Sequence, residues 1–160
     1  ITMDSDNTHN PFIILDLIKE TDNGSDVVIP SRFVKGGRMM GCPWYRAILS
    51  HSLAFLMSSI ANVKNITDYA NFYRCIRVEV LRQGLNEHGS KLVEGYGFSG
   101  MAGFLVKISK YTNKISEIPF TLRYDLKEGS SGMSIMKSIL GYFVLFKNIL
   151  KEKNPKKNFF

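Results

Sequence analysis

The chain has 160 residues, 44% of them apolar and 22% charged, enough for one domain with a core and too ordinary a mixture for wholesale disorder. Its 21 lysines and arginines against 14 acids leave a net charge of +7, which favours a phosphate-bearing partner without choosing among nucleotide, lipid headgroup and nucleic acid. No apolar run reaches the roughly 18 residues needed to span a bilayer, and Cys42 and Cys75 form neither a metal pattern nor a disulfide framework, as expected of reduced thiols in a cytosolic protein.

Ile1-Thr2-Met3 predicts a short strand that ends at Asp4-Ser5-Asp6. Asn10 can cap a helix and Pro11 suits its first turn, so Phe12 to Glu20 predicts a helix with Ile13, Ile14, Leu17 and Ile18 on one face. After the turn Asp22 to Ser25, Val27-Val28-Ile29 predicts a short buried strand ended by Pro30. Strand, helix and strand within about thirty residues make a βαβ unit, so a parallel sheet is expected. Lys35 to Pro43, rich in glycine and methionine, reads as a loop.

Tyr45 to Ala61 predicts a helix apolar over most of its surface, which should be buried or face lipid. A strand around Tyr73 to Ile76, a short helix from Val78 to Arg82, an exposed polar stretch from Asn86 to Ser90 and a weak helix from Gly100 to Tyr111 follow. Ser116 to Asp125 alternates, with Ile118, Phe120, Leu122 and Tyr124 on one side, and predicts one strand with one buried face. Lys127 to Gly132 is a turn. Met133 to Lys151 predicts an amphipathic helix with a basic tail running to Phe160.

Asp4 and Asp6 are the sharpest local feature. Two carboxylates two residues apart at a strand end can turn toward one hard divalent cation, Mg²⁺ or Mn²⁺, and leave positions for substrate phosphate. An Asp-x-Asp alone is more often a solvated turn; the apolar residues before it and the capped helix after it bring the two readings level. Arg32, Lys35, Arg38 and Arg46 flank the glycine loop, where guanidinium forks suit phosphate oxygens, although a basic surface loop has the same composition. Asp68 reads by itself as a turn residue. His9 packs at a helix entry more readily than it binds metal, and Ser50-His51 has no acid at a hydrolase spacing.

Taken in order, these segments resemble the inverting family 2 glycosyltransferases of the dolichyl-phosphate mannose synthase-like branch. Met3 to Pro11 is similar to that family's strand-end metal motif, Asp26 to Arg32 with Lys35-Gly36-Gly37 to its second strand and glycine loop, and Arg46 to Ser50 to its Arg-x-x-x-Ser segment. Asp68 to Arg74 with Arg77 resembles its Asp-to-Gly-Phe-Arg turn. Glu117 to Asp125 with Gly129-Ser130-Ser131 resembles its closing strand and loop. Pro30, Phe72, Gly103 and Gly132 depart from the family pattern, Gly132 where a lysine or arginine is expected.

The resemblance implies an α/β fold: part of a GT-A-type, Rossmann-like glycosyltransferase domain with a mainly parallel sheet, lacking the N-terminal half that holds the nucleotide. Residues 1–132 would be the C-terminal portion of the catalytic domain and 133–160 an amphipathic helix with a basic tail. It implies metal-dependent, inverting transfer of a sugar from a nucleotide-sugar to a polyprenyl (dolichyl) phosphate. Asp4 and Asp6 would hold Mg²⁺ or Mn²⁺, Arg32, Arg46 and Ser50 the acceptor phosphate, and Asp68 would orient the acceptor or a basic side chain. The expected setting is cytoplasmic, with peripheral contact to a membrane's cytoplasmic face and no nucleic-acid partner. The alternatives are an inactive fragment and a basic module for phosphate or nucleic acid; the basic residues are dispersed and carry no stacking platform.

Overall fold

Strand β1, Val27–Ser31, is buried along its whole length. Its side chains alternate between two hydrophobic layers. Val27 and Ile29 join a cluster with Met57, Leu105, Ile108 and Tyr142, whereas Val28 joins Leu17, Tyr73 and Phe120 on the other face. A strand covered on both sides needs apolar residues at consecutive positions, as Val-Val-Ile supplies. In this computed structural model residues 1–95, 97–127 and 134–153 are described.

β1 pairs in parallel with β4, Ile115–Pro119, and antiparallel with β3, Cys75–Ile76, giving a mixed sheet of order β3-β1-β4. Residues 1–3 contribute only one bridge, Thr2 to Arg74, antiparallel to the segment that becomes β3. The first segment therefore runs with β1, but β3 lies between them, so the expected adjacent βαβ pair does not form. The sheet is mixed, its longer β1–β4 pairing parallel as expected and its short β1–β3 pairing antiparallel. Helix α1, Ile13–Asp22, covers one face by burying Leu17.

The glycine-rich segment is not all loop. Arg38–Met40 forms β2, parallel to β5, Thr121–Arg123, in a second sheet of two strands. The single strand expected over Ser116 to Asp125 breaks at Phe120, whose N–H donates to Ser31 O (3.0 Å) while its carbonyl accepts from Arg38 N–H (2.9 Å). Phe120 thus hands the chain from one sheet to the other, and its ring is buried beside Tyr73. Gly37 permits the crossing: a Cβ there would lie 2.5 Å from Ser31 O.

Helix α2, Trp44–Ala61, buries only Met57 and Ala61 and leaves Trp44, Ile48 and Phe55 exposed. α3, Val78–His88, runs past its expected end at Arg82 and leads into a 3₁₀ turn over Gly89–Leu92. Its Gly84 is buried, and a Cβ there would meet Ile108 at 2.8 Å, so the glycine admits a close neighbour. α4, Gly97–Ile108, packs against α5, Ile135–Lys153; Gly103, the family departure, faces Leu145, which a Cβ would meet at 3.1 Å. α5 buries Tyr142 and Ile149 in the main core, so the last helix shares the core of the preceding segment. The Gly129 to Ser131 loop, Gly132 and the tail from Asn154 lie outside the described residues.

Candidate functional site

Because residues 1–3 and β1 run the same way, Asp4 and Arg32 both follow the carboxyl ends of extended segments. β3 runs oppositely, so the loop entering it, which carries Asp68, lies at that same edge. Such an edge is where open α/β sheets place ligand sites. Asp4, Asp6, Arg32, Arg46, Ser50 and Asp68 all line one cavity of about 980 Å³. Arg46 and Ser50 reach it from one face of α2, four residues apart. Lys35 and Arg38 do not line it, and Arg77 pairs instead with Asp26 at 3.2 Å.

Asp68 is fully buried. Its Oδ2 accepts from Arg32 Nε (2.7 Å) and backbone N (3.2 Å), and its Oδ1 accepts from Arg32 Nη2 (2.7 Å) and Asn71 N (3.2 Å). Burial lowers the Arg32 guanidinium's pKa, but the charge of Asp68 and the hydrogen bonds to it together prevail and leave it raised. Asp68 is therefore the fixture that aims a cation. Its loop is held from behind by Glu117, whose Oε1 accepts from Thr67 N (3.0 Å) and Asp68 N (2.8 Å) and whose Oε2 accepts from Thr67 Oγ1 (2.6 Å). Asn71 completes the clasp by donating from Nδ2 to Pro30 O at 2.5 Å.

The Asp-Ser-Asp segment is more open. Asn7 takes a left-handed conformation (φ 64°), one that asparagine tolerates, and closes the turn so that Thr8 N and Oγ1 donate to Asp6 Oδ1 at 3.2 and 2.5 Å. Asp6 Oδ2 accepts from Lys127 Nζ at 2.5 Å. Burial pushes the Asp6 carboxyl up, yet the hydrogen bonds from Lys127 and Thr8 prevail and hold its pKa at about 2. His9 stacks on Tyr73 (centroids 5.1 Å apart), accepts from Asp4 N at Nδ1 (3.2 Å) and lies 3.8 Å from Asp4 Oδ2; burial lowers its pKa, so it is a packed neutral side chain.

Among the described residues no group of three or more His, Cys, Asp and Glu could hold a metal. Two partly exposed carboxylates at the cavity wall fit a hard cation that keeps water and takes its other oxygens from substrate phosphate, and do not fit a closed protein cage.

Two further residues line the cavity with no sequence signal for it: Lys127, within a turn pattern, and Tyr124, within a strand pattern. Arg46 Nη1 donates to Tyr124 Oη at 2.5 Å, and the Arg46 guanidinium and Lys127 ammonium each lie 5.7 Å from the Tyr124 ring centroid. No local pattern marks either residue, because each acts through partners far away in sequence.

No protein-family model matches the chain. Among curated proteins it is 35% identical over 123 residues to the dolichol-phosphate mannosyltransferase of Pyrococcus furiosus, covering 76% of this chain and 32% of that protein. It is 33% identical over 135 residues to the undecaprenyl-phosphate mannosyltransferase of Micrococcus luteus (84% and 52%) and 35% identical over 83 residues to the polyprenol monophosphomannose synthase of Mycolicibacterium smegmatis (52% and 31%). The chain is a relative of the polyprenyl-phosphate mannosyltransferases. The resemblance drawn from its motifs is thereby borne out, and the chain spans about a third to a half of the length of these relatives.

Proposed function

We propose that the protein transfers a sugar, mannose by analogy with its relatives, from a nucleotide-sugar to a polyprenyl phosphate with inversion at the anomeric carbon. The observation that carries this reading is one cavity lined both by three carboxylates and two arginines (Asp4, Asp6, Asp68, Arg32 and Arg46) and by apolar side chains of α2 and α5 such as Leu53, Ile60, Phe143 and Phe146. A phosphate with a long hydrocarbon tail has that same combination.

In this reading Arg46 and Ser50 hold the acceptor phosphate, with Arg32 oriented toward it by Asp68. The acceptor oxygen is already ionised near neutral pH, so no strong base is required; the oxygen attacks in line and the nucleoside diphosphate departs with the bonding electrons. Catalysis here is positioning and charge complementarity. Asp4 and Asp6 would hold Mg²⁺ or Mn²⁺, which supplies Lewis-acid neutralisation of the departing diphosphate.

No helix among the described residues is long and apolar enough to cross a membrane. Trp44 and Phe55 on α2 and Phe143 on α5 are exposed by 74, 73 and 68%. Together with Lys147, Lys151 and Lys153 at the end of α5 they suit peripheral contact with an anionic membrane surface, from which a lipid acceptor could enter the cavity. The cytoplasmic face, where nucleotide-sugars are supplied, is the proposed setting.

The test is transfer to polyprenyl phosphate by the full-length natural protein, with Mn²⁺ and a panel of nucleotide-sugars that includes activated mannose. Asp4→Ala combined with Asp6→Ala is expected to abolish transfer, at least a hundredfold, without unfolding the protein. Wild-type activity retained by that double variant would remove the metal assignment, and no transfer from any donor by the wild type would remove the reading.

A further inference from the structure

Lys127 and Asp6 are 121 positions apart yet make a contact of 2.5 Å inside the cavity, with side chains 21 and 33% exposed. Lys127 takes the oxygen of Asp6 that Thr8 leaves free. Beside it, Arg46 points at Tyr124 and has no carboxylate partner among the described residues. The two cations share the Tyr124 ring, and among the described residues only Asp6 forms an ion pair with either of them.

We infer that Lys127 is an exchangeable counter-cation: it occupies Asp6 until a divalent cation takes that carboxylate, and it is then released beside Arg46 as a second ligand for phosphate. The inference rests on the metal reading of Asp4 and Asp6. Three features support the exchange. Both partners remain in reach of water, so separating them exposes no buried charge. A lysine ammonium is a compact charge on a flexible stem, joined to Asp6 here by one hydrogen bond, unlike the two-pronged Arg32–Asp68 pair. Release leaves two cations beside Tyr124 with no carboxylate partner among the described residues, an arrangement that favours an anion.

The experiment uses the full-length protein and two readouts that need no turnover. Binding of Mn²⁺ alone, followed by loss of the free-ion electron paramagnetic resonance signal, is expected to be about threefold to tenfold tighter in Lys127→Met than in wild type. Amine-reactive labelling of Lys127, read by peptide mass spectrometry, is expected to rise several-fold when Mg²⁺ saturates the protein. In Asp6→Asn, checked for an unchanged melting temperature, labelling should already be high without Mg²⁺ and should not respond to it. Equal Mn²⁺ affinity in wild type and Lys127→Met, or labelling indifferent to bound Mg²⁺, would overturn the exchange while leaving the metal site standing. Failure of both proteins to bind Mn²⁺ would overturn the metal reading as well, with Lys127 then the permanent counter-charge of Asp6.

Discussion

Two carboxylate–cation pairs line the same cavity and are built to opposite specifications. Asp68 and Arg32 are sealed, their side chains 0 and 12% exposed, with two parallel bonds of 2.7 Å and further donors on both carboxylate oxygens. Asp6 and Lys127 meet through one contact, and each keeps access to water. A buried carboxylate that loses its partner leaves an uncompensated charge in a medium that cannot solvate it, whereas a half-exposed pair that separates is largely rescued by solvent. The sealed pair can therefore serve as a fixture that aims Arg32, while the open pair can change partners during a reaction.

The contrast is most severely tested at the fixture. Asp68→Ala should strand the Arg32 guanidinium and destabilise the protein by about 3–5 kcal/mol in urea unfolding. A cost below about 1 kcal/mol would show that the pair is not structural. Lys127→Met, at the open pair, should cost less than about 1 kcal/mol in the same measurement. The open pair also predicts a pH dependence. Asp6 has a folded pKa of about 2, below its ordinary value near 3.8, so its contribution is present above pH 4 and is lost as pH falls toward 2. Allowing for solvent screening, that loss should be about 1 kcal/mol, and Lys127→Met should flatten the difference between unfolding measured at pH 4 and at pH 2.5.

Smallest in stability but not in function is the expected effect of the exposed apolar side chains. Trp44→Ser combined with Phe55→Ser should change unfolding free energy by no more than about 0.5 kcal/mol, because both side chains already contact water. The same change should weaken binding to vesicles of anionic phospholipid several-fold in a sedimentation assay. Unchanged vesicle binding would remove α2 from the membrane-facing surface.

Legibility in the sequence follows the range of the interaction. α1, α2, α5 and β1 could be read because each declares itself by a period or an apolar run within about twenty residues. β2 could not, since three residues beside glycines carry no pattern until Thr121 to Arg123 lies alongside. The alternation through Ser116 to Asp125 describes faces correctly near Phe120 but cannot reveal that the strand changes sheets there, which depends on Ser31 and Arg38 meeting one residue from either side. The apolar surface of α2 left burial and lipid contact open; the structure leaves most of that face exposed.

The same division holds within the candidate site. The order of Asp4, Asp6, Arg32, Arg46, Ser50 and Asp68 along the chain was sufficient to suggest a kinship that the relatives bear out. It carried no information on pairing. That Asp68 grips Arg32, 36 residues away, follows from β3 lying antiparallel beside β1, which brings its entering loop to the strand end from which Arg32 emerges. That Lys127 reaches Asp6 follows from Phe120 turning the chain out of one sheet and into the other. Side-chain chemistry is local and can be read residue by residue; the partner of each charge is chosen by sheet order, which exists only once the chain has folded.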